Sequence, residues 1–369
     1  GLSMTRGRVT LMGRDLSLSF FAALSLMAGS AQAEPVAKAD GAVAAPSAIV
    51  PFSRFGSAEA MAMFARDLAT PPLDWSKKSI AEVRADYDAR NRERVRRFRE
   101  LYKVEIKPGT LGGVPVETIL PVGGVSARNK DRILINLHGG SFMFGAGSGG
   151  EAESIPIAAL GRIAVVTVDY RMAPEHRFPA ASQDVEAVYR DLLKRYPAQG
   201  IGIYGCSAGA VLTGEAIAWL RARGLPRPGG TGTFCGSIAQ VGGDSAFIAS
   251  ALNGRPVGKS SPSMVASSNG YLAGASDDDP LVVPANSPEL LAAFPPTILI
   301  SGTRDFALSN VIQSHRLLTN AGVDAELHVW DGMWHGFFNE PDLPESREAH
   351  LAITRFFDRV LAVSPPAGH

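Results

Sequence analysis

"IGIYGCSAGAVLTGEAIAWL" (residues 201–220) carries the reading of the whole chain. Ile201, Ile203 and Tyr204 form a short apolar run of strand type, and after Ser207 apolar residues recur at helical spacing. Gly205 and Gly209 stand two residues to either side of the serine. Alone, a glycine pair around a serine is compatible with an ordinary turn. Between a strand and a helix it becomes the Gly-x-Ser-x-Gly arrangement of a nucleophile elbow. The glycines are then required because the sharp turn brings neighbouring backbone too close for a Cβ. Ser207 is expected above a sheet, near a helix N-terminus, with the Ala208 N–H directed at any oxyanion formed there.

Such a serine needs a base, and the base needs an orienting acid. Downstream, "ILISGTRDFALSN" and "ELHVWDGMWHGFF" each place a polar residue after a strand-like run, where open α/β sheets build their sites. Asp305 and His335 complete the order Ser, Asp, His expected of an α/β-hydrolase. Asp331 is the rival acid, but it lies four residues before His335 and reads better as part of the turn. Upstream, "LINLHGGSFMFG" ends a strand in His138-Gly139-Gly140, whose glycines leave backbone N–H groups unobstructed for an acyl oxygen. His138 sits at the wrong place in the order for a base and reads as a structural hydrogen-bonding residue.

"HGGSF", "DYRMAPEHRFPAA", "GCSAG" and "DGMWHGFF", in this order between about residues 100 and 363, resemble the hormone-sensitive-lipase-like esterases, bacterial family IV of the lipolytic enzymes. The resemblance implies an α/β-hydrolase fold with a mostly parallel eight-stranded sheet flanked by helices. It implies a helical cap made largely from the N-terminal segment, and serine esterase activity without a cofactor. Position by position, it implies Ser207 as nucleophile, Asp305 as acid, His335 as base, and Gly139, Gly140 and Ala208 as oxyanion donors. Tyr170 through His176 match a segment that braces the site. The acyl chains implied are short to medium. Ser141 stands where many members have a third glycine, and Cys206 where aspartate is common. Phe306-Ala307-Leu308 replaces a Pro-Leu pattern, and Ser309 a frequent second acid. These departures bear on local hydrogen bonding and substrate preference, not on the reaction type.

Around these motifs, "VEIKPGTLGGVPVETILPV" can form a hairpin turning near Gly112-Gly113, and "RILINL", "IAVVTV", "TGTFCGSIAQV" and "PTILI" are further strand-like runs. Runs without alternation suit strands buried on both faces of a mostly parallel sheet. Nearer the N-terminus, "SAEAMAMFARDL" and "SIAEVRADYDARNRERVRRFRELY" read as helices. In the second, Ile80, Val83, Tyr87, Val95, Phe98 and Leu101 share a stripe, and Ser79 with Glu82 spells a capping box. Its arginines, interleaved with acids, read as a solvated face. The catalytic domain is expected over 102–369, and the cap segment over 54–101.

Residues 1–33 look like an address. Arg6, Arg8 and Arg14 precede the apolar "LSLSFFAALSLMAG", and Ala31-Gln32-Ala33 makes a cleavage box, the three parts of a secretory signal peptide. The apolar run is too short to span a membrane. Cleavage is expected after Ala33, giving a secreted or periplasmic enzyme, with 34–53 an Ala/Pro-rich lead-in. Gly1-Leu2-Ser3, before Met4, reads as an appended remnant.

Thirty-six acidic and 36 basic side chains leave no net charge to draw nucleic acid or an anionic membrane. The glycine run over 139–150 lacks both dinucleotide spacing and a P-loop lysine, and no metal-ligand cluster is evident. Two cysteines, Cys206 and Cys235, read as buried small apolar residues. The expected partner is a small-molecule ester, with no cofactor, metal or stable membrane anchor, and a homodimer is left open. Phe142, Phe144 and Trp334 are expected to line an apolar acyl pocket, with Met61, Met63, Phe64 and Met143 near it. Lactonase and polysaccharide deacetylase chemistry remain open on the same residues. A ligand receptor of the same fold would lack part of the Ser-His-Asp set, which is complete here.

Overall fold

The computed structural model describes residues 36–44, 48–71, 74–253 and 262–363, so the expected signal peptide lies outside the described residues. The chain divides into residues 1–51 and 52–369. In the first unit, β1 (Val36–Ala37) pairs antiparallel with β2 (Val43–Ala44).

The second unit opens with two helices, α1 (Ala58–Ala69) and α2 (Ile80–Leu101). Both begin on a serine: Ser57 accepts the Ala60 N–H, and Ser79 forms the full capping box with Glu82. The strands that follow are β3 (Val104–Leu111), β4 (Val114–Pro121), β5 (Ile133–Leu137), β6 (Ala164–Val168), β7 (Ile201–Cys206), β8 (Gly230–Phe234), β9 (Thr297–Arg304) and β10 (Ala325–Trp334). Between them run α3 (Ser148–Gly161), α4 (Ala180–Leu192), α5 (Ala208–Ala222), α6 (Asp244–Leu252), α7 (Pro288–Ala292) and α8 (Leu308–Asn320). Helix α9 (Pro344–Val360) closes the series.

The strands form one eight-stranded sheet in the order β10-β9-β8-β7-β5-β6-β4-β3. Strand β4 pairs antiparallel with β3 and β6, and every other pairing is parallel. This is the α/β-hydrolase architecture expected from the sequence.

Strand β5 shows how the sheet is sandwiched. Ile133, Ile135 and Leu137 join one apolar cluster with Val185 of α4 and Leu212 of α5. Leu134, on the opposite face, joins a second with Ile155 of α3 and Phe357 of α9. Burial on both faces is why these strands carry no polar alternation.

Helix α2 follows the expected stripe with one exception. Val83, Val95 and Phe98 are buried, but Leu101, in the last turn, is exposed. Its arginine face is also less uniform than expected. Arg96 pairs with Glu93 and Glu100 of its own helix. Arg84 instead donates to the Met143 carbonyl at 2.7 Å and pairs with Glu175. Helix α2 is therefore tied to the segment that follows β5. Among the described residues, no helix is long and apolar enough to cross a membrane.

Candidate active site

Strand β7 ends at Cys206 and α5 begins at Ala208, so Ser207 is the whole connection. Its φ of 58° lies in the left-handed region, a strained conformation for a residue with a Cβ. Both flanking glycines are sterically obligatory. A Cβ on Gly205 would stand 2.3 Å from the Leu137 carbonyl oxygen, and one on Gly209 only 1.9 Å from it. The Ser207 N–H donates to the Phe234 carbonyl at 2.8 Å, which pins the turn to β8.

Asp305 follows β9 and His335 follows β10, so all three polar residues stand at C-terminal strand ends. His335 Nε2 lies 2.9 Å from Ser207 Oγ, and its Nδ1 lies 2.7 Å from Asp305 Oδ1. Asp305 is fully buried. Its Oδ2 accepts the Ser301 hydroxyl at 2.7 Å, and its Oδ1 also accepts the Ala307 N–H at 2.9 Å. Burial works to raise the carboxyl pKa, but His335 and these hydrogen bonds outweigh it and hold the group below its ordinary value. An ionised Asp305 accepts from Nδ1–H, which leaves Nε2 free to accept the serine proton. Phe306 stacks on the imidazole with centroids 4.2 Å apart and planes at 26°.

Asp331 is elsewhere. It is exposed, and its carboxylate accepts the Ser53 hydroxyl.

The segment after β5 is a coil of positive φ values: Gly140 at 127°, Ser141 at 57° and Phe142 at 61°. The Met143 and Phe144 N–H groups turn back onto the Gly140 carbonyl. Gly139 departs from its expected role as an oxyanion donor. Its N–H is already given to Glu153 Oε2 at 2.8 Å. Among the described residues the N–H groups of Gly140, Ser141 and Ala208 meet no acceptor. His138 is fully buried and stacked on Tyr170 at 4.3 Å, whose hydroxyl donates to the His138 carbonyl. The Ala173 N–H donates to the Phe142 carbonyl at 2.8 Å, so the Tyr170–His176 segment braces this loop from outside.

Glu153 is the residue that sequence reading missed. It is one of two acids, with Glu151, on a small-residue helix, and nothing in its neighbours' spacing singles it out.

The expected pocket residues divide. Phe142 is buried in the core, stacked on Tyr271 at 4.7 Å, because its positive φ turns it beneath the loop. Phe144 packs on Tyr87 of α2 at 4.5 Å and lines a cavity of about 260 Å³ with Arg84, Met172 and Ser148. Trp334 is half-buried and meets Phe64 of α1 at 5.9 Å. Met63 packs on the core beside them, whereas Met61 is exposed.

Both cysteines are buried and free. Among the described residues only Cys235, Asp305 and His335 bring three metal-ligating atoms within 4.8 Å of one another. Two of those side chains are already joined in the Ser207 relay.

Residues 134–339 match the family described as the alpha/beta hydrolase fold. An acetyl-hydrolase of Streptomyces hygroscopicus is 30% identical over 246 residues, which is 64% of this chain and 81% of that protein. An esterase of Acinetobacter venetianus is 26% identical over 260 residues, covering 69% of this chain and 82% of its own. The crystal structure of esterase E25 superposes with a TM-score of 0.72 at 29% identity, covering 86% of this chain and 98% of that one. An esterase from the bacterial hormone-sensitive lipase family gives 0.70 at 27% identity, over 82% of this chain and 97% of its own.

Proposed function

This chain belongs to the α/β-hydrolase fold family and, within it, to the hormone-sensitive-lipase-like esterases; from that premise we propose that Ser207, His335 and Asp305 hydrolyse carboxylic esters through an acyl-enzyme. The observation that carries the assignment is the unbroken relay, 2.9 Å from Ser207 to His335 and 2.7 Å from His335 to Asp305.

Ser207 Oγ attacks the ester carbonyl while His335 Nε2 takes its proton. Asp305 holds the ring and stabilises the imidazolium. The tetrahedral oxyanion is received by the N–H groups of Gly140 and Ala208, with Ser141 the next donor in line. The Gly139 N–H, spoken for by Glu153, shapes the loop instead. His335 then protonates the leaving alcohol, and a water molecule repeats the sequence on the acyl-enzyme.

Helices α1 and α2 are proposed as the cap, since α1 brings Phe64 to Trp334 and α2 brings Tyr87 to Phe144. The acyl group is proposed to be short to medium. The Streptomyces hygroscopicus relative, named as an acetyl-hydrolase, supports a short one. Each added methylene gains about 0.8 kcal/mol only while it is buried, so preference should rise and then collapse at the pocket's end. Export directed by residues 1–33 belongs to the same proposal, and N-terminal sequencing of natively secreted protein checks it at Glu34.

Specificity constants on p-nitrophenyl esters from acetyl to palmitoyl test the function. A maximum at short or medium chains is expected. Highest efficiency on palmitate with activation at a lipid interface would make this a true lipase, and no turnover of any ester would remove the esterase reading.

A further inference from the structure

The carboxyl of Glu153, on α3, sits where the two arms of the oxyanion donor set meet. Its Oε2 accepts the Gly139 N–H at 2.8 Å, and loop and elbow close on each other there, since a Cβ on Gly139 would stand 2.8 Å from the Cys206 carbonyl oxygen. Its Oε1 meets Asn136 Nδ2 at 3.3 Å, and Asn136 Oδ1 accepts the Thr167 hydroxyl at 2.8 Å. The Glu153 carbonyl accepts the Tyr204 hydroxyl at 2.9 Å. Asn136, Thr167 and Tyr204 are buried on β5, β6 and β7. The side chain is thus held on β5 through Asn136, which Thr167 of β6 fixes in turn, while Tyr204 of β7 holds the Glu153 main chain and the carboxyl takes the loop's Gly139 N–H.

The loop needs such an anchor. Ser141 and Phe142 hold positive φ, a conformation that costs about 1–3 kcal/mol per residue and persists only where the surroundings enforce it. The elbow offers no substitute, because the thiol of Cys206 is only a weak acceptor. The hydrogen bonds of Glu153 go to none of Ser207, His335 or Asp305, so it stands outside the proton relay.

We propose that Glu153 is a positioning residue that fixes the spacing between the Gly140–Ser141 N–H groups and the Ala208 N–H. This rests on the esterase reading of the same site. Burial pushes the Glu153 carboxyl up to about 8 against the opposing pull of the Gly139, Asn136 and Cys206 groups. Near neutral pH it is therefore mostly a carboxylic acid, with one O–H donor and one carbonyl acceptor. Glutamine keeps the shape and the carbonyl that takes the Gly139 N–H, with the Asn136 amide reversed to accept its NH2, whereas methionine fills the space without either.

The test uses the full chain, with turnover expressed per serine titrated by a fluorophosphonate. Glu153→Met should lower kcat on p-nitrophenyl butyrate by about ten- to a hundredfold, somewhat less than removal of an oxyanion donor outright, with KM changed by under about twofold. Affinity for a trifluoromethyl ketone, which mimics the tetrahedral state, should fall by the same factor as kcat. Glu153→Gln should recover turnover to within about threefold of wild type. A folded Glu153→Met enzyme with unchanged kcat overturns the proposal. So does a loss confined to KM, or a Gln variant as slow as the Met variant. Should Glu153→Met not fold, Glu153→Asp decides by the same criteria, since it withdraws the carboxyl from Gly139 by one methylene. An inactive wild type would remove the esterase reading itself. An active wild type with an indifferent Glu153 series removes only this proposal.

Discussion

The elbow at Gly205–Gly209 and the loop at His138–Gly145 are both glycine-marked turns at the ends of neighbouring parallel strands, yet they are held in different ways. Each places a side-chain-bearing residue at positive φ: Ser207 in the elbow, Ser141 and Phe142 in the loop. The elbow is locked by steric exclusion, with Gly205 and Gly209 pressed on one backbone oxygen of β5 and α5 following at once. The loop leans on side chains brought from far along the chain. Glu153 takes the Gly139 N–H, Tyr170 donates to the His138 carbonyl, and Asn269 Nδ2 donates to the Ser141 carbonyl at 3.2 Å. The elbow is held by backbone against backbone, whereas the loop, whose Gly140 is just as tightly confined against the Phe144 carbonyl, adds side-chain anchors to its glycine sterics.

The largest effect should come from removing the elbow's chemistry while keeping its shape. Ser207→Ala is expected to cut turnover by about a million-fold with the melting temperature nearly unchanged. Turnover above about a hundredth of wild type would mean that the elbow does not hold the nucleophile. The next effect separates the two aspartates. Asp305→Asn should lower turnover by about ten-thousandfold by stabilising the wrong histidine tautomer, while Asp331→Asn should cost at most about a few-fold. Buried hydrogen bonds to Ser301, Ala307 and His335 surround the first, whereas the second is exposed and meets Ser53. The reverse ranking would move the acid to Asp331.

This contrast also explains what was legible in the sequence. The sheet was legible because unalternated apolar runs have few other uses, and the elbow because two glycines flank a serine between strand and helix. Asp305 and His335 followed from strand-end placement and chain order. Glu153 was not legible, since its partners on β5 and β7 are adjacent only after the sheet has formed. For the same reason Gly139 was misjudged: its N–H is unobstructed locally but claimed by a residue on the next helix. Phe142 looked like a pocket residue until its positive φ turned it into the core.

A smaller effect is expected at the histidine. Phe306 is 49% exposed, an unusual place for a large ring, and its face lies on the imidazole. An aromatic face stabilises a nearby cation by about 0.5–1 kcal/mol at exposed sites, so Phe306→Leu should slow acylation by about two- to fivefold as the imidazolium develops. Single-turnover measurement of acylation checks this. An unchanged or faster rate would make the ring a wall of the site and nothing more.

The smallest effect concerns stability, and it separates loop from elbow most cleanly. Glycine sterics do not titrate, but the Glu153 carboxyl does. Its ordinary value is 4.5, and in the folded chain burial raises it to about 8, with the Gly139, Asn136 and Cys206 groups pulling the other way. Below the ordinary value both folded and unfolded chains carry the proton, so pH has no leverage. Between the two values the unfolded chain releases a proton that the folded chain keeps, and stability falls as pH rises. Above the folded value both forms are ionised and the loss levels off. Glutamine has no proton to release. The melting temperature of Glu153→Gln minus that of wild type should therefore climb by about a few degrees from pH 4.5 to pH 8 and then flatten. The same difference for Ser207→Ala should stay level over that range. A flat or falling curve for Glu153→Gln would show that the loop is held without this half-buried acid, and would make loop and elbow alike.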